Sequence, residues 1–460
     1  MTPEVRRGAA RVAVLALAVR LVVVAFAAGR FPPADDGTFY QLIAERIASG
    51  LGYTWAWPDG TVTFAANYPV GYPAILGALY VLTGPHVVVA MLANALVGAV
   101  ASAAAVVLGS RAPGPGSGKL SGILVAVEPA LVLYTPALMT EAFAGELLVI
   151  AAAVGTSGSL RPALRTVGAG LVLGVATLVR PEMLLVAPFI GLLVEWRAPG
   201  WRRGALAALG VTGVALALCA PWTLRNCVRL DRCAFVSANA GQNLLIGTSP
   251  LGHGAWVGLD RMGVPAACRT EFGEGGKDRC FGREAVAAIA ESPAAWVAQM
   301  PRKLGVTFDY GTAAAYYLGA SNPALVSGRT QTLLGALELL GQRVVLVLAA
   351  LALGGAPGPR AVLRRRLGFA CVAFALLPFA WVGFVLLVAV GLLFGKHLWR
   401  WPAAGLAVVT VGTTALTHAV FFGAGRYALV CLPALGVLAG SVRNGVLRPA
   451  FDTLRKDEDI

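Results

Sequence analysis

Residues 86–108 read HVVVAMLANALVGAVASAAAVVL, an apolar run that contains no Asp, Glu, Lys or Arg. A helix needs about 20 such residues to cross the hydrocarbon core of a bilayer. The whole chain has the same character, because 57% of its 460 residues are apolar and only 13% are charged. Soluble domains contain roughly 25% charged residues. The composition therefore excludes an ordinary cytosolic protein and predicts an all-α polytopic membrane protein.

Comparable apolar runs recur along the chain, and each is long enough to predict a spanning helix. They lie near 11–28, 86–108, 120–139, 142–159, 204–221, 401–421 and 427–443. Two longer apolar stretches, 166–195 and 367–395, are each interrupted by proline. The first stretch indicates two short helices that meet at a polar turn, and the second could be one long tilted helix or a tight hairpin. Placing all the basic clusters on one side requires both stretches to be hairpins. The sequence then predicts about twelve spans with both termini in the cytoplasm.

Basic residues set the predicted orientation of these spans. The chain has 37 Lys and Arg against 23 Asp and Glu, a formal net charge of +14. In a soluble protein such a charge would raise the question of nucleic acid. Here the basic clusters lie between apolar runs, so the positive-inside rule places them in the cytoplasm and no nucleic-acid partner is predicted. The clusters are Arg6, Arg7 and Arg11; Arg111 and Lys119; Arg161 and Arg165; Arg197, Arg202 and Arg203; Arg360 with Arg364 to Arg366; Lys396 and Arg400; Arg443, Arg448, Arg455 and Lys456.

This orientation divides the chain into four predicted parts. They are an N-terminal transmembrane module (1–220), a large extracytoplasmic segment (221–330), C-terminal transmembrane helices (331–445) and a cytoplasmic tail (446–460). The N-terminal module includes a first loop, 29–85, which is also predicted to face outward. The triplet Ala25-Phe26-Ala27 has the form of a signal-peptidase site. The many spans that follow favour an uncleaved membrane anchor.

Four of the seven cysteines lie in the large segment, namely Cys227, Cys233, Cys268 and Cys280. An even number of cysteines in an oxidising compartment predicts disulfides. Of the three possible connectivities we prefer the local one, Cys227–Cys233 with Cys268–Cys280. The spacings do not match the usual intervals of zinc ligands, so the cysteines predict no metal site.

Two adjacent carboxylates, Asp35 and Asp36, follow Pro32 and Pro33 directly after the first span. Acidic residues are common in turns and at helix starts, which is the structural interpretation. The functional interpretation is a general base with a helper, since a carboxylate held near a second one can be tuned for proton transfer. Aromatic residues of the same loop could form an interfacial belt or hold a sugar ring; the candidates are Tyr40, Tyr68 and Tyr72.

Further ionisable residues lie at the predicted outer ends of spans. Glu141 follows Thr140, Arg180 lies at the apex of the 166–195 hairpin, and Arg426 lies between the last two spans. A charge at membrane depth is costly, which makes each a functional candidate, although a structural ion pair is the alternative. Lys303 is a weaker candidate at the foot of the large segment. Together these groups predict a substrate with a phosphate at the lipid boundary and a hydroxyl to deprotonate.

Six motifs follow one another along the chain: PPADD at 32–36 with Tyr40 and Ile43-Ala44, YPVGYP at 68–73, Thr140-Glu141, VRPE at 179–182, APWTLRN at 220–226 and Gly425-Arg426-Tyr427. In this order they resemble glycosyltransferase family 39, within the C-type superfamily of membrane glycosyltransferases. The resemblance covers about residues 10–445. The family contains protein O-mannosyltransferases and the aminoarabinose transferases that act on lipid A.

The resemblance implies a C-type glycosyltransferase fold in a bacterial-type inner membrane, with an active site that faces away from the cytoplasm. It implies inverting single displacement from a polyprenyl-phosphate sugar. It makes Asp35 the leading base and Asp36 its neighbour; many members carry Asp-Glu here, so the choice between the two stays open. In this interpretation Glu141 orients the acceptor or the base. Donor phosphate would be bound by Arg180, Arg426 and Lys303, and sugar or acceptor by Tyr40, Tyr68 and Tyr72.

Other functional classes are less well supported. A metal-binding Asp-x-Asp triplet occurs as Asp457-Glu-Asp459, which we interpret as part of a solvated tail. We predict no cofactor and no metal ligands, while dependence on a divalent metal stays open. The rival class is a secondary transporter or lipid-linked glycan flippase, which would place its charges near the bilayer midplane and often show two matching halves. A polysaccharide polymerase or ligase is a third possibility. The acceptor could be a lipid, a glycan or a protein.

Overall fold

The computed structural model describes residues 1–111, 117–197, 200–230, 232–356 and 359–442. These residues are predominantly helical, as the composition predicts. The helices are α1 (Pro3–Ala27), α2 (Asp36–Ala48), α3 (Gly71–Thr83), α4 (Val87–Gly109), α5 (Ser117–Val127), α6 (Pro129–Leu133), α7 (Glu141–Gly155), α8 (Pro162–Val179), α9 (Ala187–Val194), α10 (Trp201–Arg229), α11 (Ala240–Thr248), α12 (Leu259–Met262), α13 (Glu274–Glu291), α14 (Pro293–Ala298), α15 (Met300–Phe308), α16 (Ala313–Ser321), α17 (Gly328–Gly355), α18 (Ala361–Leu376), α19 (Ala380–Leu392), α20 (Pro402–Val420) and α21 (Leu432–Ala439). The predicted tail, 446–460, and its acidic triplet lie outside the described residues.

Within the described ranges, six helices are long and apolar enough to cross a membrane: α1, α4, α8, α10, α17 and α20. Four of them overlap the predicted runs at 11–28, 86–108, 204–221 and 401–421, although α1 begins earlier and α10 ends later than predicted. Shorter apolar helices contact them, including α3, α5 and α19. The count of about twelve spans stays a prediction.

Both predicted hairpins are present. The chain breaks after α8 at Arg180, and the end of α9 returns to the start of α8, where Arg165 donates to the carbonyl of Val194 at 3.0 Å. The second hairpin consists of α18 and α19, which lie antiparallel, and the thiol of Cys371 points at the carbonyl of Gly383 at 3.0 Å. The proline-containing breaks therefore reverse the chain, as the sequence indicates.

Two predicted spans are not single α-helices, which corrects the sequence analysis. The run 120–139 breaks at Glu128, because Pro129 starts a new helix and the Glu128 carboxylate accepts the Leu131 N–H at 2.7 Å as its N-cap. In the described part of the run 427–443, which ends at residue 442, a 3-10 helix, Gly425–Val430, is followed by α21, in which Pro433 occupies the start. Proline at the beginning of a helix lacks the N–H that would continue the preceding one.

Helix α17 is not among the apolar runs predicted above, although it has 28 residues. Three polar residues interrupt its apolar sequence, Glu338, Gln342 and Arg343. Each has a protein partner: for example, Glu338 accepts the N–H groups of α16, and Gln342 donates to the carbonyl of Phe308 at 2.9 Å. Buried polar side chains are tolerated when they are hydrogen-bonded in this way.

The first loop and the large segment both contain regular secondary structure. The first loop contains α2, α3 and an antiparallel hairpin of β1 (Thr54–Ala56) and β2 (Val62–Phe64). The large segment contains α11 to α16, and both preferred disulfides, Cys227–Cys233 and Cys268–Cys280, are confirmed. Its last part, α15 and α16, packs among α17, α19 and α20 rather than standing apart from the bundle.

Candidate active site

The acid pair lies at the start of α2. Pro32 and Pro33 follow α1, and Asp36 is the first residue of α2, where the positive end of the helix dipole favours a carboxylate. Asp35 precedes it with φ 49° and ψ −130°, a backbone conformation that side-chain-bearing residues rarely adopt. The Asp35 side chain is exposed and makes no capping hydrogen bond to α2. Strained backbone of this kind concentrates at functional sites.

Asp36 has a partner on each carboxylate oxygen. Its Oδ1 accepts the phenol O–H of Tyr68 at 2.9 Å, and its Oδ2 lies 2.8 Å from a guanidinium nitrogen of Arg426. Burial raises the pKa of Tyr68, and the charge of Asp36 raises it further. The phenol therefore stays protonated and remains a donor to Asp36.

Glu141 joins this pair to the rest of the site. It is the first residue of α7 and is only 1% exposed. Its Oε1 lies 2.9 Å from Arg180 and 3.4 Å from Arg426, and its Oε2 accepts the phenol O–H of Tyr134 at 3.1 Å. Two guanidinium groups thus share one buried carboxylate oxygen.

Arg180 completes the arrangement at the break after α8. It contacts Glu182 at 2.6 Å and donates to the hydroxyl of Thr140 at 3.1 Å, in addition to Glu141. We name the connected set Asp36, Glu141, Glu182, Arg180 and Arg426 the acid–arginine network. Its members come from helix starts and helix breaks that are distant in sequence.

The two arginines also lie over one aromatic ring. The guanidinium carbons of Arg180 and Arg426 lie 5.2 and 5.4 Å from the centre of the Tyr427 ring. The His418 ring stacks on Tyr427 with the ring centres 3.9 Å apart, and its Nδ1 lies 2.9 Å from the carbonyl of Phe422. The negative face of an aromatic ring attracts cations, so Tyr427 helps to orient both guanidinium groups.

The arrangement can bind an anion and hold a carboxylate next to it. The side chains of Arg426 and Asp36 are 31% and 25% exposed, and that of Arg180 is 13% exposed, so the network is partly accessible to solvent. A guanidinium group binds phosphate oxygens with a fixed fork of N–H donors. Asp35, the residue next to Asp36, has a carboxylate that is exposed to solvent.

The other predicted binding residues, Tyr40, Tyr72 and Lys303, are all buried. Tyr40 is buried and contacts Tyr68 and Tyr72 edge-on, and burial raises its pKa. Tyr72 is fully buried, and its hydroxyl donates to the side-chain oxygen of Asn94 at 3.1 Å. Lys303 is also fully buried; its ammonium donates to the carbonyl of Val420 at 3.1 Å, at the end of α20. Its contacts favour a helix-capping role.

Sequence reasoning did not assign a role to several residues of the site. Glu182 and Tyr427 stand inside motifs quoted above, so their motif positions were a usable signal. Tyr134 and Tyr317 carry no such signal. Tyr317 belongs to α16, and its phenol oxygen accepts the backbone N–H groups of Ala34 and Leu138, both at 3.2 Å.

A metal-ligand cluster is not present in the part of the chain that the structure describes, where no three His, Cys, Asp or Glu residues are grouped suitably. The carboxylates of Asp36, Glu141 and Glu182 are instead paired with guanidinium groups.

Comparison with known proteins found no matching family model and no matching curated protein. Among solved structures, the chain is similar to the archaeal oligosaccharyltransferase AglB from Archaeoglobus fulgidus, in complex with an inhibitory peptide and a dolichol-phosphate. The TM-score is 0.48 at 12% identity, over 98% of this chain and 51% of that chain. It is also similar to ArnT from Cupriavidus metallidurans bound to undecaprenyl phosphate, with a TM-score of 0.38 and 17% identity over 93% and 77% of the two chains. The chain spans about half the length of the oligosaccharyltransferase.

Proposed function

We propose that this protein is a membrane glycosyltransferase that moves a sugar from a polyprenyl-phosphate donor to a hydroxyl group of an extracytoplasmic acceptor. The observation that carries the proposal is the acid–arginine network, in which two guanidinium groups and three carboxylates meet at the ends of apolar helices. A site of this kind suits a ligand whose headgroup is a phosphate and whose tail is a lipid.

Arg180 and Arg426 bind the donor phosphate in this proposal. When the bond between the anomeric carbon and the phosphate oxygen breaks, polyprenyl phosphate leaves with an additional negative charge. Positioned guanidinium groups stabilise that charge without a proton transfer. Glu141 and Tyr427 hold both guanidinium groups in place before the donor arrives.

Asp35 acts as the general base. Its carboxylate is exposed and makes no capping bond to α2, whereas both oxygens of Asp36 already have partners. The acceptor hydroxyl gives its proton to Asp35 while its oxygen attacks the anomeric carbon from the face opposite the phosphate. Such a displacement inverts the configuration, and a positioned base contributes typically 10²–10⁴-fold to the rate. The contacts of Asp36 with Tyr68 and Arg426 hold the turn that carries Asp35 close to the arginines.

The proposal includes a location and partners. The basic clusters between apolar helices favour an inner membrane orientation with the network on the outer side. The partners would be a polyprenyl-phosphate sugar, the lipid bilayer and a lipid, glycan or protein acceptor. The transporter or flippase alternative has no specific contact in its favour, and the experiment below separates the two.

The test uses Asp35→Asn and Asp36→Asn, with Asp59→Asn as the matched control. Asp59 lies in the same loop, is exposed, and caps the Thr61 N–H at 2.9 Å in the tip of the β1–β2 hairpin. Purified variants in lipid nanodiscs receive a panel of polyprenyl-phosphate hexoses and pentoses, together with solubilised cell-envelope acceptors. Release of polyprenyl phosphate and the mass added to acceptor are both measured.

We expect Asp35→Asn and Asp36→Asn each to lower the transfer rate by roughly 10²-fold or more. Asp59→Asn should keep the wild-type rate. The asparagine of Asp35→Asn keeps the shape of the side chain but cannot take a proton, and that of Asp36→Asn removes the negative charge that pairs with Arg426. If Asp35→Asn and Asp36→Asn transfer sugar like wild type, the mechanism is wrong. If wild type in sealed vesicles moves a lipid-linked sugar across the bilayer without transferring it, the flippase alternative is correct.

A further inference from the structure

Helix α16 reaches the acid pair from the opposite half of the chain. Tyr317, in the middle of this helix, is 3% exposed, and its phenol oxygen accepts the N–H groups of Ala34 and Leu138, both at 3.2 Å. Ala34 directly precedes Asp35, and Leu138 lies three residues before Glu141. One oxygen atom therefore joins the two backbone segments that carry the base and the buried acid of the network.

Neither segment has regular secondary structure at the point of contact. Ala34 and Leu138 precede the first residues of α2 and α7, so their N–H groups lie outside the hydrogen-bond ladders of those helices. A buried N–H group without an acceptor is costly, which makes such an acceptor decisive for local geometry. The phenol oxygen of Tyr317 supplies it for both segments.

The first turn of α2 also packs tightly against the same oxygen. A Cβ atom added at Gly37 would lie 2.7 Å from the hydroxyl of Tyr317 and 3.1 Å from the carbonyl of Leu138. Glycine at this position therefore permits the close approach of α2 to α16. The separation between the acid pair and the segment before Glu141 is set by these contacts.

The position of Tyr317 is itself fixed from within the bundle. Glu338, in α17 and fully buried, accepts the N–H groups of Ala314 and Ala315 at 2.9 and 2.7 Å. A carboxylate at the N-terminus of a helix satisfies donors that the helix leaves free and complements its dipole. The ring of Tyr317 also meets the ring of Tyr134 edge-on, with the centres 6.2 Å apart. Tyr134 in turn donates to Glu141.

The electrostatic environment agrees with this placement. Burial raises the pKa of Tyr317, and the neighbouring charges of Asp35 and Asp36 add to the rise. The phenol therefore stays protonated. Its oxygen lone pairs accept the two N–H groups.

We infer that Tyr317, held by Glu338, is a positioning residue that sets the distance between the Asp35–Asp36 turn and Glu141. This inference rests on the proposed function, because the phenol oxygen would align the base with the arginines that bind the donor phosphate. It does not make Tyr317 a catalytic residue, since its contacts are to backbone groups.

The test compares Tyr317→Phe with Tyr316→Phe. Tyr316 is the adjacent residue on the same helix and is 61% exposed, so its variant removes a phenol oxygen without touching the acid pair. Two measurements are made on the full chain in nanodiscs. The first is sugar transfer from polyprenyl-phosphate donors, with kcat and KM determined per folded molecule. The second is amide hydrogen exchange of peptides covering Ala34 and Leu138, which needs no activity.

We expect Tyr317→Phe to lower kcat by roughly 10- to 100-fold, the loss typical of a misplacement of about 1 Å. The KM for donor should change by no more than about twofold, because both arginines keep their partners. Exchange at Ala34 and Leu138 should become faster. Tyr316→Phe should match wild type in both measurements. In a double-mutant cycle, Gly37→Ala should cost less in the Tyr317→Phe background, because part of the clash is with the hydroxyl.

Three results separate the possible failures. Wild-type exchange at both segments in Tyr317→Phe overturns the inference. Faster exchange with unchanged kcat per folded molecule also overturns it, because the hydroxyl would then serve stability alone. If wild type transfers no sugar from any donor while exchange responds to Tyr317→Phe, the proposed function is wrong, and with it the assignment of Tyr317 to transfer.

Discussion

Substitution of Arg426 by lysine separates geometry from charge in the acid–arginine network. Arg426 lies 2.8 Å from Asp36 through one nitrogen and 3.4 Å from Glu141 through another. A lysine keeps the positive charge but ends in a single nitrogen, so it cannot hold both carboxylates and face a phosphate in the same way. The variant therefore tests whether the fork of the guanidinium group matters.

The expected effect on stability is small. The Arg426–Asp36 pair is partly exposed, and such pairs contribute about 1 kcal/mol or less. Glu141 keeps its closer contact with Arg180 at 2.9 Å, so no buried carboxylate is left without a partner. We expect the unfolding free energy of Arg426→Lys to fall by no more than about 1 kcal/mol.

The expected effect on transfer is larger. Removal of one positioned donor to a developing negative charge costs about 10²–10³-fold in other enzymes. Because lysine retains the charge, we expect a loss of roughly 10- to 100-fold, which corresponds to about 1.4–2.7 kcal/mol of transition-state stabilisation. The assay is the initial rate of polyprenyl phosphate release in nanodiscs, with Arg302→Lys as the control. Arg302 is exposed on α15 and is not part of the network.

A transfer rate of Arg426→Lys within about twofold of wild type would refute the reasoning, because the fork geometry would then contribute almost nothing. A loss of the same size in Arg302→Lys would also contradict it. In that case an arginine outside the network would be equally sensitive to replacement by lysine, and the loss in Arg426→Lys would not be specific to the network.

Two further predictions concern stability. Burial lowers the pKa of Lys303 from 10.5 to about 8; between these values the unfolded chain binds more protons than the folded one, so stability should rise as pH increases from 8 to 10. The thermal midpoint in detergent should follow this rise in wild type and stay flat in Lys303→Met; the same rise in both would contradict it. The Cys268–Cys280 disulfide closes a loop with a sequence separation of 12, so replacing both residues by alanine should lower the unfolding free energy by roughly 3 kcal/mol. Chemical denaturation checks this value, and a reductant, which breaks Cys227–Cys233 as well, should lower the unfolding free energy of wild type by at least as much; unchanged denaturation midpoints in both cases would count against the loop-entropy argument.

The convergence of the charged residues could be predicted because membrane physics restricts where charges are placed. Asp36, Glu141, Arg180 and Arg426 each stand at the end of an apolar run, and the alternation of basic clusters puts those ends on one side. The structure brings the four side chains into one connected set. Their roles in binding and transfer remain proposals.

Helix breaks were harder to predict than apolar runs. Hydropathy averages over about 20 residues, and it does not register a single capping side chain such as Glu128 or a proline at a helix start. For the same reason the polar residues of α17 kept hydropathy from identifying this long helix. Glu338 lowers the hydropathy of the sequence, but both of its carboxylate oxygens are hydrogen-bonded in the fold.

What the sequence determined by itself is local: a helical chain suited to a bilayer, a preferred pairing of cysteines that are near neighbours, and the charged groups at the ends of its apolar runs. Only the tertiary structure decided which of these groups touch. Tyr317 meets Ala34 across 283 positions of sequence, and Arg426 reaches Asp36 from the other end of the chain. The physical reason is that apolar periodicity specifies which surfaces are buried, whereas the pairing of distant polar atoms depends on how whole helices pack against one another.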